Sequence, residues 1–235
     1  MGEEKRRVSC NGFGVLTLDD GILVVRNRNR SKPAQSVYSL PGGAFRYDIE
    51  AEPFLLSLGA ELEKPDKRDL RMKLSPDRQA EFEDWYFKRV QRELDPTREI
   101  RGELGKEETA VLKGYRIDVE YKDPIAVIVE KETTRAGQGN EMTRYAFEMF
   151  SGNIKVAREG LDKLYDAIRN PGPHTNVRII TSDQIRTANI SGDDMIMEGG
   201  LVKVAADLMR YATGNYVGPQ VKDVRHLDDG KFVNF

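Results

Sequence analysis

The alternation of apolar and polar positions predicts a β-rich start to the chain. Apolar and β-branched residues dominate Val8–Leu18 and Ile22–Arg26, and the Asp19-Asp20-Gly21 turn between them is typical of a hairpin. Pro41-Gly42-Gly43 then ends another extended run with a turn whose backbone can approach a ligand closely. Residues typical of strands predict four later strands, at Tyr115–Tyr121, Ile125–Glu132, Tyr145–Phe150 and Asn176–Thr181.

Apolar residues at three- and four-residue steps predict the helices. A charged, mainly helical insertion is predicted at about 48–94, and the apolar stripe of its second helix includes Val90 and Leu94. Asp95 and Pro96 are suited to the N-cap and first position of the helix that follows. A flexible loop is predicted at Thr133–Met142. The predicted helices are Pro53–Leu62, Pro76–Leu94, Pro96–Thr109, Val156–Ile168 and Glu198–Ala212.

This order of elements predicts an α/β (α+β) fold in which helices pack on a mixed β-sheet. A length of 235 residues suits a single domain, 1–235, with the insertion at about 48–94. The glycine-rich fingerprints of dinucleotide-binding and P-loop proteins do not occur, so those nucleotide-binding classes are excluded.

Charge and composition narrow the function classes. Lys and Arg number 37 against 39 Asp and Glu, which argues against generic nucleic-acid binding. Cys10 is the single cysteine, so an intrachain disulfide and a thiolate metal cluster are excluded. Two histidines argue against a histidine-rich zinc site. The sequence has no apolar run of membrane-spanning length and starts without an apolar signal core, so a cytoplasmic protein is expected.

The densest cluster of candidate chemistry lies within residues 98–108. Glu99 and Glu103 are four residues apart and share a face of the predicted helix, and Glu107 extends the row. Carboxylates on one helix face suit Mg²⁺, which takes oxygen ligands and keeps waters and substrate phosphates in its shell. By spacing alone, a solvated acidic face is the more ordinary explanation, because runs of charged residues usually lie on the solvent surface.

The Arg-Glu-Ile-Arg-Gly-Glu-Leu-Gly sequence at 98–105 resembles the Arg-Glu-aliphatic-x-Glu-Glu-x-Gly core of the Nudix box. The upstream Pro41-Gly42-Gly43 and the order of strands and helices are also similar to that family. The likeness is strongest to divergent bacterial Nudix domains associated with nucleotide-second-messenger (SMODS/CBASS-like) defence systems. In these, a helical insertion separates Pro-Gly-Gly from an Asp-Pro-x-Arg-Glu box.

The resemblance implies a role for each matching residue. Glu99 and Glu103 would bind metal, with Glu99 alternatively serving as the base, and Arg98 would orient the glutamates. A carbonyl of Gly42 or Gly43 would approach the metal. Two residues depart from the pattern: Gly102 replaces a metal-binding glutamate, and Lys106 replaces an aliphatic residue. Glu107 or Glu108 is a candidate substitute ligand.

The resemblance therefore implies a Mg²⁺- or Mn²⁺-dependent hydrolase of a nucleoside diphosphate linked to another group. The candidate substrate-binding residues are Arg26, Arg28, Tyr38 and Gly42, although the arginines also suit the surface and Tyr38 the core. Because of Gly102, a catalytically weak nucleotide-sensing module in a defence pathway is the alternative. In a third hypothesis, the charged insertion docks a partner or mediates a homodimer.

Overall fold

A computed structural model of the protein shows a mixed β-sheet with helices packed on both sides, which confirms the predicted fold class. The structure describes residues 4–19, 21–27, 36–106, 110–133, 141–171, 175–181, 184, 189–191, 194–196, 221–228 and 231–233. Within these ranges, every helix is too short or too polar to cross a membrane.

The described part of the chain forms thirteen strands and four α-helices. The strands are β1 (Arg6–Leu18), β2 (Gly21–Arg26), β3 (Val37–Ser39), β4 (Gly42–Ala44), β5 (Glu61–Leu62), β6 (Arg71–Leu74), β7 (Asp118–Glu132), β8 (Met142–Lys155), β9 (Val177–Ile180), β10 (Asn189–Ser191), β11 (Asp194–Ile196), β12 (Val221–Asp228) and β13 (Lys231–Val233). The helices are α1 (Glu52–Ser57), α2 (Gln79–Phe87), α3 (Thr97–Arg101) and α4 (Arg158–Arg169).

The long strand β1 joins two halves of the sheet. Over Arg7–Leu16 it pairs in parallel with β8, and on its other edge it pairs antiparallel with β4 and β6. Its last residues, Thr17 and Leu18, pair with β2 and so lead into the half that holds β3, β9, β10 and β11. Strands β7, β12 and β13 extend the first half beyond β8.

Three apolar clusters produce this layering. Side chains of β7 alternate between two of them, because Ala126 and Ile128 face the insertion whereas Ile125 and Val127 face the second sheet half. The third cluster packs α3 and α4 against β1 and β2. Cys10 is fully buried in the insertion-side cluster, and burial raises the pKa of its thiol well above the ordinary value, so it acts as a packing residue.

The insertion is less helical than the sequence predicts. Its first helix ends at Ser57, and β5 and β6 follow, with β6 hydrogen-bonded to β1. Its second helix ends at Phe87 because the backbone turns through positive φ at Arg89 (56°) and Gln91 (54°). Val90 and Leu94 consequently lie about half-exposed, so their assignment to a buried helical stripe is wrong.

Two further boundaries differ from the sequence prediction, and two predicted segments lie wholly or partly outside the described residues. The helix predicted to end at Thr109 changes at Gly102 into one π-helical turn, 102–106. The two strands predicted from Tyr115 to Glu132 form the single strand β7, with an irregular register between Lys122 and Ile125. Residues 134–140 of the predicted loop and all of the predicted helix Glu198–Ala212 lie outside the described residues.

Candidate functional site

A cleft of about 610 Å³ opens where β1 meets β4 and α3. Alternate residues of β1 form its floor because successive side chains of a strand point to opposite faces. The parallel neighbour β8 continues the same floor. The floor residues are Arg7, Ser9, Asn11 and Phe13 of β1 and Tyr145 and Phe147 of β8. The floor is therefore polar and cationic at one end and aromatic at the other.

Helix α3 brings charged side chains to one wall of this cleft. The Asp95 carboxylate accepts a hydrogen bond from the Thr97 backbone N–H at 2.8 Å, which caps the start of the helix. Ile100 is fully buried and fixes the rotation of the helix about its axis. Its other face then carries a set of side chains to the cleft, namely Arg98, Glu99 and Glu103.

Glu103 is held against the two glycines that begin β4. Its Oε2 accepts a hydrogen bond from the Gly42 backbone N–H at 2.9 Å, and its main-chain carbonyl accepts one from Asn176 Nδ2 at 3.0 Å. Gly42 has φ +144°, and an added Cβ would lie 2.1 Å from the Gly12 carbonyl oxygen. Only glycine fits there, so the close approach of this backbone to Glu103 depends on Gly42.

Gly43 lies equally close to the other carboxylate. A Cβ added to Gly43 would stand 2.9 Å from Cδ and 3.2 Å from Oε2 of Glu99. The backbone of Gly43 therefore packs directly on the Glu99 side chain. Together the two glycines bring the turn against both carboxylates of α3 and its π turn.

Arg98 fixes the position of Glu99. Its Nε and Nη2 donate to the two oxygens of Glu93 at 2.5 and 2.9 Å, and Nη2 also donates to the Ala44 carbonyl at 2.8 Å. Its Nη1 donates to Glu99 Oε1. Burial lowers the pKa of Arg98, but the hydrogen bonds and charges of Glu93 and Glu99 outweigh burial and raise it above the ordinary value. Arg98 is thus a fixed cation beside Glu99.

A family model described as the SMODS-associated NUDIX domain matches residues 5–198. The chain belongs to this NUDIX family. The match confirms the resemblance carried by residues 98–105 and by Pro41-Gly42-Gly43, and it supports a Nudix-type hydrolase or a related module. The chain has no match among the curated proteins or the solved structures.

The described part of this NUDIX domain offers two carboxylates for a metal, Glu99 and Glu103. Both are hard oxygen donors in a cleft open to solvent, so they fit an ion that keeps waters and substrate oxygens as its other ligands. The described residues hold no cluster of three or more His, Cys, Asp or Glu side chains suited to a metal. The candidate substitutes Glu107 and Glu108 lie outside the described residues.

Gly102 occupies the position at which the Nudix pattern has a further glutamate. Its backbone is regular helix, with φ −61° and ψ −58°, although a π turn begins there. A Cβ added to Gly102 would meet nothing within 4 Å. Neither backbone conformation nor packing therefore requires glycine at this position.

The other predicted substrate-binding residues have different outcomes, and among those that the structure describes only Arg26 is found in the cleft lining. Arg26 lines the cleft, and its Nε is buried without a hydrogen-bond partner. Tyr38 is 1% exposed and packs in the core between the sheet halves, which favours the packing alternative and removes it from the cleft lining. Arg28 lies outside the described residues.

Three aromatic rings of the NUDIX domain lie side by side at one end of the floor. Phe147 lies between the other two, 5.6 Å from Phe13 and 5.1 Å from Tyr145 between ring centroids. The Tyr145 and Phe147 planes are only 10° apart. Phe13 and Tyr145 are half-buried, so their rings form part of the cleft surface.

The sequence analysis did not identify most of the residues that line the cleft. The polar residues at alternate positions of β1, Arg7, Ser9 and Asn11, were a usable signal, because a purely structural strand buried on both faces carries apolar residues there. Asn176 gave no such signal. The residue is 4% exposed, its side-chain amide donates to the Glu103 carbonyl, and its Oδ1 has no hydrogen-bond partner.

Proposed function

We propose that this NUDIX domain hydrolyses a phosphoanhydride bond of a nucleoside diphosphate linked to another group, with Mg²⁺ or Mn²⁺ as cofactor. The observation that carries the proposal is the pair Glu99 and Glu103 packed against Gly42 and Gly43 inside a cationic cleft. Carboxylates beside a close-approaching backbone provide oxygen ligands for a hard cation, and the surrounding cations attract the anionic substrate.

The balance of charge in the cleft favours a polyanion. Among its described lining residues, seven are Lys or Arg and three are Asp or Glu. The whole chain, in contrast, has a formal charge of −2. The described lining of the cleft therefore carries a local excess of positive charge, which supports a small phosphate-bearing ligand over extended nucleic acid.

The aromatic end of the floor supports a nucleoside as one part of that ligand. Phe13 and Tyr145 offer ring surface beside Phe147, and a base stacked on such surface gains about 1–3 kcal/mol. Asn176 lies at the cleft with an unpaired side-chain carbonyl, which could accept a hydrogen bond from the ligand.

In the proposed reaction, water attacks one phosphorus atom and the bridging P–O bond breaks. Glu103 would hold the cation, and Glu99 would hold it or accept the proton from the attacking water. A bound Mg²⁺ would neutralise the diphosphate and make that water more acidic. Arg98 keeps the Glu99 carboxylate in place, and the Gly42 N–H does the same for Glu103.

Gly102 supports a second candidate, a NUDIX module that binds the nucleotide but turns it over weakly or not at all. It removes one carboxylate at a position where an added Cβ would meet nothing within 4 Å. With two carboxylates the cation would be bound more weakly, whereas the cationic and aromatic surfaces of the cleft would remain intact.

The test is hydrolysis of ADP-ribose, NAD, dinucleoside polyphosphates and nucleoside triphosphates with Mg²⁺ or Mn²⁺, followed by chromatography. Glu103→Gln removes the charge but keeps an oxygen for the Gly42 N–H. Glu159→Gln, on the exposed side of α4, is the matched control. Metal-dependent cleavage that is lost in Glu103→Gln and retained in Glu159→Gln supports the hydrolase.

Turnover that survives in Glu103→Gln would refute the assignment of this residue. Thermal stabilisation by a nucleotide without any cleavage would favour the sensing module. If there is neither cleavage nor stabilisation, both proposals are wrong.

A further inference from the structure

The end of the cleft next to the insertion carries its own group of cations. This group consists of Arg46 and Arg71 on the wall and Lys64 and Lys67 on the rim. The Lys67 backbone N–H donates to the Lys64 carbonyl at 3.1 Å, so one tight turn, with Pro65 at its second position, holds both lysines.

These cations are not equally available to a ligand. Arg7, on the floor below them, is bound by both oxygens of Glu63, at 2.5 and 3.2 Å. Arg71 is also paired, with its Nη1 3.4 Å from Asp69 Oδ2. Among the residues that the structure describes, however, Lys64, Lys67 and Arg46 form no ion pair through their side chains, and Arg46 Nε is buried without a hydrogen bond. Since a buried N–H without a partner is unfavourable, the site lacks an acceptor.

The register of β1 gives the separation between the two ends. Gly12 pairs with Gly43, which touches Glu99, whereas Ser9 pairs with Arg71. Three residues along a strand correspond to about 10 Å. Because this backbone separation is longer than one diphosphate group, it favours a separate anionic group of the ligand at the insertion end.

We propose that Arg46, Lys64, Lys67 and Arg71 form a second anion subsite, which binds a phosphate group of the ligand distinct from its hydrolysed diphosphate. This inference rests on the proposed nucleotide function. A phosphate matches the subsite because it offers several acceptor oxygens to two guanidinium and two ammonium groups together. The floor below the subsite is polar and not apolar, because the buried side chains of Ser9 and Asn11 form it.

The experiment compares ligands that differ by one phosphate. The probes are NADP against NAD and coenzyme A against dephospho-coenzyme A, titrated calorimetrically at constant ionic strength into the Glu103→Gln protein, so that turnover does not interfere. The subsite variant is Lys64→Ala with Lys67→Ala, both on a surface turn. The control is Lys88→Ala with Lys113→Ala, two exposed lysines that do not line the cleft.

In at least one pair, the ligand with the additional phosphate is expected to bind about tenfold more tightly. The subsite variant is expected to lose this preference while it binds the other ligand of the pair as before, and the control is expected to retain it. Equal affinity within both pairs, or a preference that survives in the subsite variant, overturns the second subsite alone. If none of the four probes binds, the second subsite is overturned, and the nucleotide function is overturned with it only if the unaltered protein with Mg²⁺ or Mn²⁺ also cleaves none of them.

Discussion

A buried ion pair ties the insertion to the sheet, and Glu148→Gln tests its contribution. Arg92 Nη2 donates to Glu148 Oε1, and both side chains have no solvent exposure. Arg89 Nη1 lies 3.7 Å from the second Glu148 oxygen. Arg92 follows α2, whereas Glu148 lies on β8, so the contact joins two parts of the chain that are 56 residues apart.

The expected loss follows from what remains around Arg92. Removal of one charge from a buried pair costs about 3–5 kcal/mol because the other charge is left without compensation. Here Arg92 keeps two carbonyl acceptors, Tyr86 O at 2.9 Å and Glu93 O at 2.6 Å, and its guanidinium lies 4.0 Å from the Tyr86 ring centroid. These contacts favour the lower end of the range, about 3 kcal/mol.

Equilibrium urea unfolding measures this loss in the free energy of unfolding. The single tryptophan allows the unfolding of the insertion to be followed separately from that of the whole chain. Trp85 is buried in α2, so its fluorescence reports on the insertion, while far-ultraviolet circular dichroism reports on the whole chain. Asp84→Asn, in the exposed Lys88–Asp84 pair, is the control and is expected to cost no more than about 1 kcal/mol. A loss below about 1 kcal/mol in Glu148→Gln would refute the reasoning.

Three further predictions concern the α3 site. Gly102→Glu adds a carboxylate in open space and is expected to raise Mn²⁺ affinity, measured by calorimetry, and to stabilise the helix by about 1 kcal/mol; unchanged affinity would contradict the missing-ligand interpretation. Gly43→Ala is expected to weaken Mn²⁺ binding in the same assay, because its Cβ would stand 2.9 Å from Glu99 Cδ. Arg98→Lys is expected to lower turnover about tenfold or more, since an ammonium cannot keep the two-point contact with Glu93; turnover equal to that of the unaltered protein would contradict this positioning role.

The parts of the fold set by local pattern were predictable. Turn residues and alternation predicted the β1–β2 hairpin and the strand segments that form β7 and β8, and helical periodicity predicted α4. Resemblance to the Nudix pattern implied that a carbonyl of Gly42 or Gly43 approaches a metal held by Glu99 and Glu103, and the structure shows the two glycines against these glutamates. Local pattern cannot indicate that Gly42 and Glu103, 61 positions apart, are in contact.

The rest depends on tertiary packing that has no local signal. Val90 and Leu94 continue the apolar period of α2, but positive φ at Arg89 and Gln91 turns the chain away. Tyr38 precedes the glycine turn in sequence, yet it enters the core because strand pairing, and not proximity in sequence, decides its direction. Arg46 gains its place in the cleft through an isolated bridge to Asp69.

The insertion therefore contributes to the cleft in two ways that cannot be separated. It supplies Lys64 and Lys67, and it packs on the opposite side of the strand that carries the floor. Adjacent residues of a strand face opposite sides, so β8 presents Glu148 to the insertion and Phe147 to the cleft. A change that loosens the Arg92–Glu148 contact should consequently disturb the second anion subsite and the aromatic floor together. It should also disturb Glu99, because Arg98, which fixes Glu99, is anchored on Glu93 next to Arg92. Glu103 should stay in place, because its carboxylate is held by the Gly42 N–H.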